Sequence, residues 1–126
     1  MLNKCYELKL NYDTYLIFIK KGNFYYCYKE DAYIIHYLLH YKLIDNMVAF
    51  PLNAIDKVLK IVTNNDLGII IYDGIVLDKI YGDSDKYNKL YTKSLEFIDK
   101  EIIINDINKK LKSYTLEQLL KVVSTI

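Results

Sequence analysis

Two short, uninterrupted apolar runs constrain this chain more than any other feature. Tyr15 to Ile19 reads Tyr-Leu-Ile-Phe-Ile, and Leu67 to Tyr72 reads Leu-Gly-Ile-Ile-Ile-Tyr. Both are far short of the roughly 20 residues that a helix needs to cross a bilayer. Both are rich in β-branched and aromatic residues and bounded by turn signals, so each predicts a buried strand. After the first run, Lys20-Lys21-Gly22-Asn23 predicts a turn and Phe24 to Tyr28 a returning strand, with Gly22 free to take positive φ. After the second, Asp73-Gly74 is a hairpin turn signal and Ile75 to Tyr81 the partner strand. Leu43 to Phe50 supplies a further strand around an Asp45-Asn46 turn.

The segments between these strands carry helical spacing. Glu30-Asp31 opens one helix, with acidic side chains at the positive end of its dipole and Ala32, Ile35, Leu38 and Leu39 as its buried stripe. Ile55, Val58, Leu59 and Val62 mark another, entered through Pro51-Leu52. There Asn53 is the expected N-cap, and Asp56 stands where a capping box usually has Glu or Gln. Beyond Gly82, Tyr87, Leu90, Tyr91, Leu95 and Ile98 predict a long amphipathic helix, and Ile102 to Leu111 a second. Thr115 with Gln118 forms a capping box, stapled by Tyr114 and Leu119, for a last helix that buries Leu116, Leu119, Leu120 and Val123. With 126 residues there is enough chain for one core, and one Pro with four Gly keeps the loops short. The expected fold is α/β (α+β): a mixed sheet of about five strands flanked by helices over residues 1–82, with a helical C-terminal extension over 83–126.

Composition narrows the function classes. The net charge is +1, whereas a protein that neutralises a long run of phosphates usually carries a clear basic excess. All 17 basic residues are Lys. Arg is the preferred residue for bidentate recognition of phosphate and guanine, so its absence weakens a sequence-reading role. An AT-rich coding sequence is the favoured explanation for the missing Arg and for the abundant Tyr. Cys5 and Cys27 show no metal-type spacing and are expected as reduced thiols. The first residues lack the apolar stretch of a signal peptide, and a cytoplasmic protein with no membrane partner is expected.

Four segments, in order, resemble the N-terminal mismatch-recognition domain of MutS, MutS domain I. Tyr6-Glu7-Leu8-Lys9 precedes the apolar strand, which leads into Gly22-Asn23-Phe24-Tyr25 where the family has Gly-Asp-Phe-Tyr-Glu. Glu30-Asp31-Ala32 matches the family's Glu-Asp-Ala at a helix start. Ala49-Phe50-Pro51-Leu52-Asn53-Ala54 is similar to Gly-x-Pro-x-His-Ala, and Asp56-Lys57-x-Leu59 to the helix after it. Leu67 to Asp73 falls on the family's next strand. The resemblance spans roughly Tyr6 to Tyr81 and implies a free-standing domain of that kind. It further implies that Phe24 occupies the position of the aromatic wedge that stacks on a mispaired base from the minor groove of a kinked duplex. Tyr26 stands where the family's Glu hydrogen-bonds that base, Asn23 replaces an Asp, and Asn53 replaces a His.

Alternation along the strand puts Phe24, Tyr26 and Tyr28 on one face. That face is either a stacking platform for bases or a surface covered by the C-terminal helices, and for Tyr28 the covered state is expected. Lys20 and Lys21 precede the wedge and are candidates to hold a phosphate, although Lys pairs usually mark a solvated turn. Lys57 and Lys60 share a helix face, but Asp56 with Lys60 at i,i+4 explains the latter. Lys109, Lys110 and Lys112 form the densest basic run.

Catalytic signals are weak. His36 and His40 have the i,i+4 spacing of zinc peptidases, but position 37 is Tyr where the catalytic Glu would be. Cys27 with His36 has no supporting spacing as a nucleophile pair, and no phosphate-binding glycine loop is present. The family's ATP hydrolysis resides in a separate domain. No catalytic residue, metal or cofactor is therefore expected. Two function classes follow. One is a non-catalytic accessory module that binds mismatched, bulged or branched DNA, or RNA, with a partner protein supplying affinity or chemistry. The other is a protein–protein interaction module, either a complex subunit or an inhibitor from a mobile element or virus, that keeps the fold without binding nucleic acid.

Overall fold

In the computed structural model the chain runs α1 (Leu2–Lys9), β1 (Tyr15–Lys21), β2 (Phe24–Tyr28), α2 (Glu30–Leu39), β3 (Met47–Pro51), a short 3-10 turn (Leu52–Ala54), α3 (Ile55–Asn64), β4 (Gly68–Tyr72), β5 (Val76–Ile80) and α4 (Ser84–Ser113). The structure describes residues 2–113, with side-chain environments up to residue 108. The expected capping box, staple and last helix, from Tyr114 to Val123, lie outside the described residues, as do the side chains of Lys109, Lys110 and Lys112. By packing, the chain divides into two units, Met1–Leu95 and Glu96–Ile126. The first holds a five-stranded sheet in the order β3-β2-β1-β4-β5. The two apolar runs form its centre, β1 parallel to β4, and every other pairing is antiparallel. The fold class is α+β, a mixed sheet with helices.

Central position explains why these two runs are apolar at every residue. Leu16, Phe18, Ile69 and Ile71 face one side, against Ala32, Ile34 and Ile35 of α2, Val58 and Val62 of α3, and Tyr87 and Leu90 of α4. Ile17, Ile19 and Ile70 face the other, beneath Cys5 and Leu8 of α1. A strand covered on both faces has no solvent side on which a polar residue would be favoured. Phe18 meets Phe50 edge to face at 5.3 Å between ring centres, which ties β3 into the larger core.

Several local expectations are corrected. β1 continues through Lys20 and Lys21, so the turn is only Gly22-Asn23, with Gly22 at φ 62°. The Asp45-Asn46 turn forms with φ 51° and 60°, closed by paired Ile44 and Met47 backbone bonds of 2.9 Å. It is therefore an independent tight hairpin, and β3 proper starts only at Met47. Asn53 does not cap α3: it lies inside the 3-10 turn, and neither helix start has a side-chain cap. In α2, Ile34 replaces Leu38 and Leu39 in the fully buried stripe, because the helix leans its N-terminal half on the sheet. The two helices expected beyond Gly82 are one, α4, with no break near residue 100. At Gly82 a side chain is impossible, since a Cβ would lie 1.9 Å from the Gly68 nitrogen.

The sequence marks Asp31 only as a dipole-favoured acid at the start of α2. It is fully buried. Its Oδ1 accepts from the Lys9 ammonium at 2.7 Å and from the Tyr87 hydroxyl at 2.7 Å, and its Oδ2 accepts from the Ile17 amide at 3.1 Å. Lys9 also donates to the Asp13 and Tyr15 carbonyls at 2.9 and 2.7 Å. Burial lifts the Asp31 carboxyl above its ordinary value, while the Lys9 charge and the donated hydrogen bonds pull it back. Burial and the adjacent carboxylate push the Tyr87 phenol far up, so it stays protonated and donates. Removing one member of a buried pair leaves the other uncompensated. Asp31→Ala is expected to destabilise the protein by about 3–5 kcal/mol, and Tyr87→Phe by about 1.5–3 kcal/mol, in urea unfolding followed by circular dichroism. Unchanged midpoints would show that the network does not hold the fold.

Both cysteines are buried and free. Burial, with help from the Asp31 charge, pushes the Cys5 thiol up to about 11 and the Cys27 thiol well above its ordinary value. The thiolate is the reactive form. An aromatic disulfide reagent near pH 8 is expected to find no fast-reacting thiol in the native protein and two after denaturation. A rapid native reaction would mean that one of them is accessible.

Candidate nucleic-acid interface

Within the first unit, Met1–Leu95, one face of the sheet is packed by α2, α3 and the first turns of α4, and the other by α1. The row of cross-strand neighbours nearest α1 is apolar and partly buried. Tyr28 belongs here, packed with Cys5, Leu8, Ile17, Ile19 and Ile70. Its covering element is α1, while Tyr87, Leu90 and Tyr91 from the first turns of α4 pack in the opposite cluster. Towards the Gly22-Asn23 turn the cover ends. Phe24 is 42% exposed, and Tyr26 is half-buried beside it. Their ring centres are 6.4 Å apart with planes tilted by 52°.

Register accounts for this openness. Phe24 lies between Lys21 on β1 and Pro51 on β3; Tyr26 lies between Ile19 and Ala49. Directly opposed residues share a face. Pro51 and Ala49 are exposed and small, so nothing bulky rises beside the rings on that flank. Lys21 is exposed and has no carboxylate bonded to it among the described residues. Lys20 points to the other side of the strand and forms a 3.7 Å ion pair with Asp73. Asn23 is exposed, and its carbonyl accepts the Leu52 amide at 3.1 Å, which anchors the turn to the segment after β3. Phe24, Tyr26, Lys21 and Asn23 are thus brought together at one end of the sheet, while Lys20 is engaged at its margin. The side chains of Lys109, Lys110 and Lys112 remain outside the described residues.

The neighbouring residues Ala49 and Pro51 were not singled out from sequence, because only the β2–β3 register reveals that they border the rings. Other tyrosines have structural duties. Tyr12, Tyr15 and Tyr81 surround the Lys79 ammonium at 5.0, 5.7 and 4.6 Å from their ring centres, a cation–π cluster that pins β5 to the rest of the sheet.

No catalytic constellation assembles from the sequence candidates. His36 Nδ1 contacts the Tyr41 carbonyl, and His40 ends α2 in a left-handed conformation at φ 60°. Cys27 is fully buried, with its thiol directed at the Val48 carbonyl 3.7 Å away. Among the described residues no three His, Cys, Asp or Glu side chains gather as a metal site. A groove of about 410 Å³ includes Lys9, Glu30, Tyr87 and Tyr91, but Lys9 there is already committed to Asp31. No described helix is long and apolar enough to cross a membrane.

No curated protein matches the chain. The model of the family MutS domain I matches residues 1–102, which takes in the whole sheet, all four helix starts and the open hairpin end. The chain belongs to the MutS domain I family, the DNA-binding mismatch-recognition domain of MutS proteins.

Proposed function

We propose that this protein is a non-catalytic module that recognises irregular nucleic acid, with mismatched, bulged or branched DNA as the first candidates, and works with a partner protein that supplies affinity or chemistry. One observation carries the reading: Phe24, at the family's wedge position, is an exposed ring at an open sheet end. An aromatic in a strand is ordinarily core, whereas the Phe24 ring is left available for contact. A ring that inserts beside a weakly stacked base gains most where pairing is already broken. Lys21 and Asn23 flank it as a phosphate contact and a polar contact. The near-neutral charge limits how many phosphates the chain neutralises alone, which is why a partner belongs to the reading.

The test is fluorescence anisotropy at low salt with mismatched, bulged, branched and fully paired DNA, and with RNA of matching shape. Phe24→Ala is expected to cost at least about tenfold in affinity, on the scale of one base–aromatic stack. Its stability should fall by less than about 1 kcal/mol, as for a surface site. Failure of the unaltered protein to bind any irregular substrate would overturn the proposal.

A second reading, that of a protein–protein interaction module, is favoured by one specific feature. The edge strand β5 and its flanks expose Ile75, Leu77 and Tyr81 at 67%, 53% and 76%. If the nucleic-acid test fails, recovery of a stoichiometric protein partner that Leu77→Asp releases would establish this reading in its place.

A further inference from the structure

The family match stops at residue 102, and an apolar helix face begins there. Ile103, Ile104 and Ile107 of α4 are each more than half exposed. Among the described residues they belong to neither core cluster. Positions three and four apart on a helix share a face, so the three form one continuous strip on the second unit, Glu96–Ile126. We infer that this strip is the seat of the chain's own C-terminal segment, Thr115 to Ile126, which folds back on it as a helix and closes an antiparallel helical hairpin.

Spacing and length select this occupant. Ile104 and Ile107 are separated by three positions, and so are Leu120 and Val123. With the chain reversed, Ile107 layers on Leu120 and Ile104 on Val123, as in an antiparallel helix pair. Both layers place the reversal between Ser113 and Tyr114. That point directly follows the last described residue of α4 and directly precedes the Thr115–Gln118 capping box. Antiparallel helices are joined by loops of about two to five residues, which Ser113 and Tyr114 satisfy with the Thr115 cap. In this register Ile126, the last residue, comes level with Ile103, so the segment ends where the exposed strip begins. So short a tether holds the segment at an effective concentration on the order of millimolar. In dilute solution a second copy of the chain is outcompeted for the same strip.

The test is a cross-link in the full chain carrying Ile107→Cys and Leu120→Cys. Cys5 and Cys27 are buried and free, so the introduced pair is the reactive one. A disulfide needs the two Cβ atoms within about 4.5 Å. Mild oxidation is expected to join this pair within one chain, seen as a faster monomer band on a non-reducing gel and the loss of two hydrogens from the intact mass. Ile107→Cys with Val122→Cys, which sets the second thiol on the outer side of the segment, is expected to stay reduced under the same oxidant. A disulfide between two chains would show that the strip is an interface between copies and overturn the inference. Equal cross-linking of both pairs, or of neither, would also overturn it. Dye binding gives a second measure that does not depend on thiol chemistry. Ile107→Asp and Leu120→Asp break the same layer, so each is expected to raise the fluorescence of an apolar-surface dye, and the double variant no further than either alone. Additive rises would contradict contact between the two residues.

Discussion

The fold depends on one buried carboxylate. Asp31 starts α2 at a point where α1, β1 and α4 converge, and its two oxygens engage Lys9, Ile17 and Tyr87 from those three elements. A buried charge with fewer partners would cost several kcal/mol. Here each donor comes from a different part of the chain, so the carboxylate is satisfied only when all four elements are in register. Lys9 closes the arrangement by spending its remaining donors on the Asp13 and Tyr15 carbonyls at the entry to β1. The start of β1 is thereby fixed, and with it the register that carries through to the Gly22-Asn23 turn.

From that anchor follows the asymmetry of the sheet. α2 and α3 form the crossover between the parallel strands β1 and β4 and, with the first turns of α4, cover one face along most of its length. On the other face α1 has only eight residues, about 12 Å of helix at 1.5 Å per residue. β1 has seven residues and is longer than this, at roughly 3.3 Å per residue. α1 is tied by Lys9 to the beginning of β1, so its cover cannot also reach the far end. Phe24 and Tyr26 are uncovered because the cover is anchored elsewhere. The exposed rings are thus a consequence of the same contacts that stabilise the core.

The sequence was most legible where a single local force decides the outcome. Tyr15 to Ile19 and Leu67 to Tyr72 had to be buried strands, and Gly22, Asp45-Asn46 and Gly74 had to be turns, since positive φ is needed there. It was least legible where distant residues decide. Glu30 and Asp31 are indistinguishable as helix-start acids until Lys9 and Tyr87, 22 and 56 residues away from Asp31, choose one of them for burial. Asn53 looked like a cap because its side chain suits one, but the segment after Pro51 closes as a 3-10 turn and starts α3 without it. The face of Phe24, Tyr26 and Tyr28 followed from alternation alone. Which of the three would be covered depended on where α1 ends, and no local pattern carries that information.

The resemblance sets a Glu where this chain has Tyr26, and on the proposed nucleic-acid reading that exchange has a physical direction. A carboxylate only accepts hydrogen bonds, so beside a wedge it selects a base edge that donates, and it also repels the phosphates nearby. A phenol donates or accepts and carries no charge at neutral pH, so it removes both the selectivity and the repulsion. What it adds is a second π-face beside the first. The low net charge works in the same sense. On the proposed reading, few phosphates are neutralised along a duplex, so the rings would have to supply more of the binding free energy.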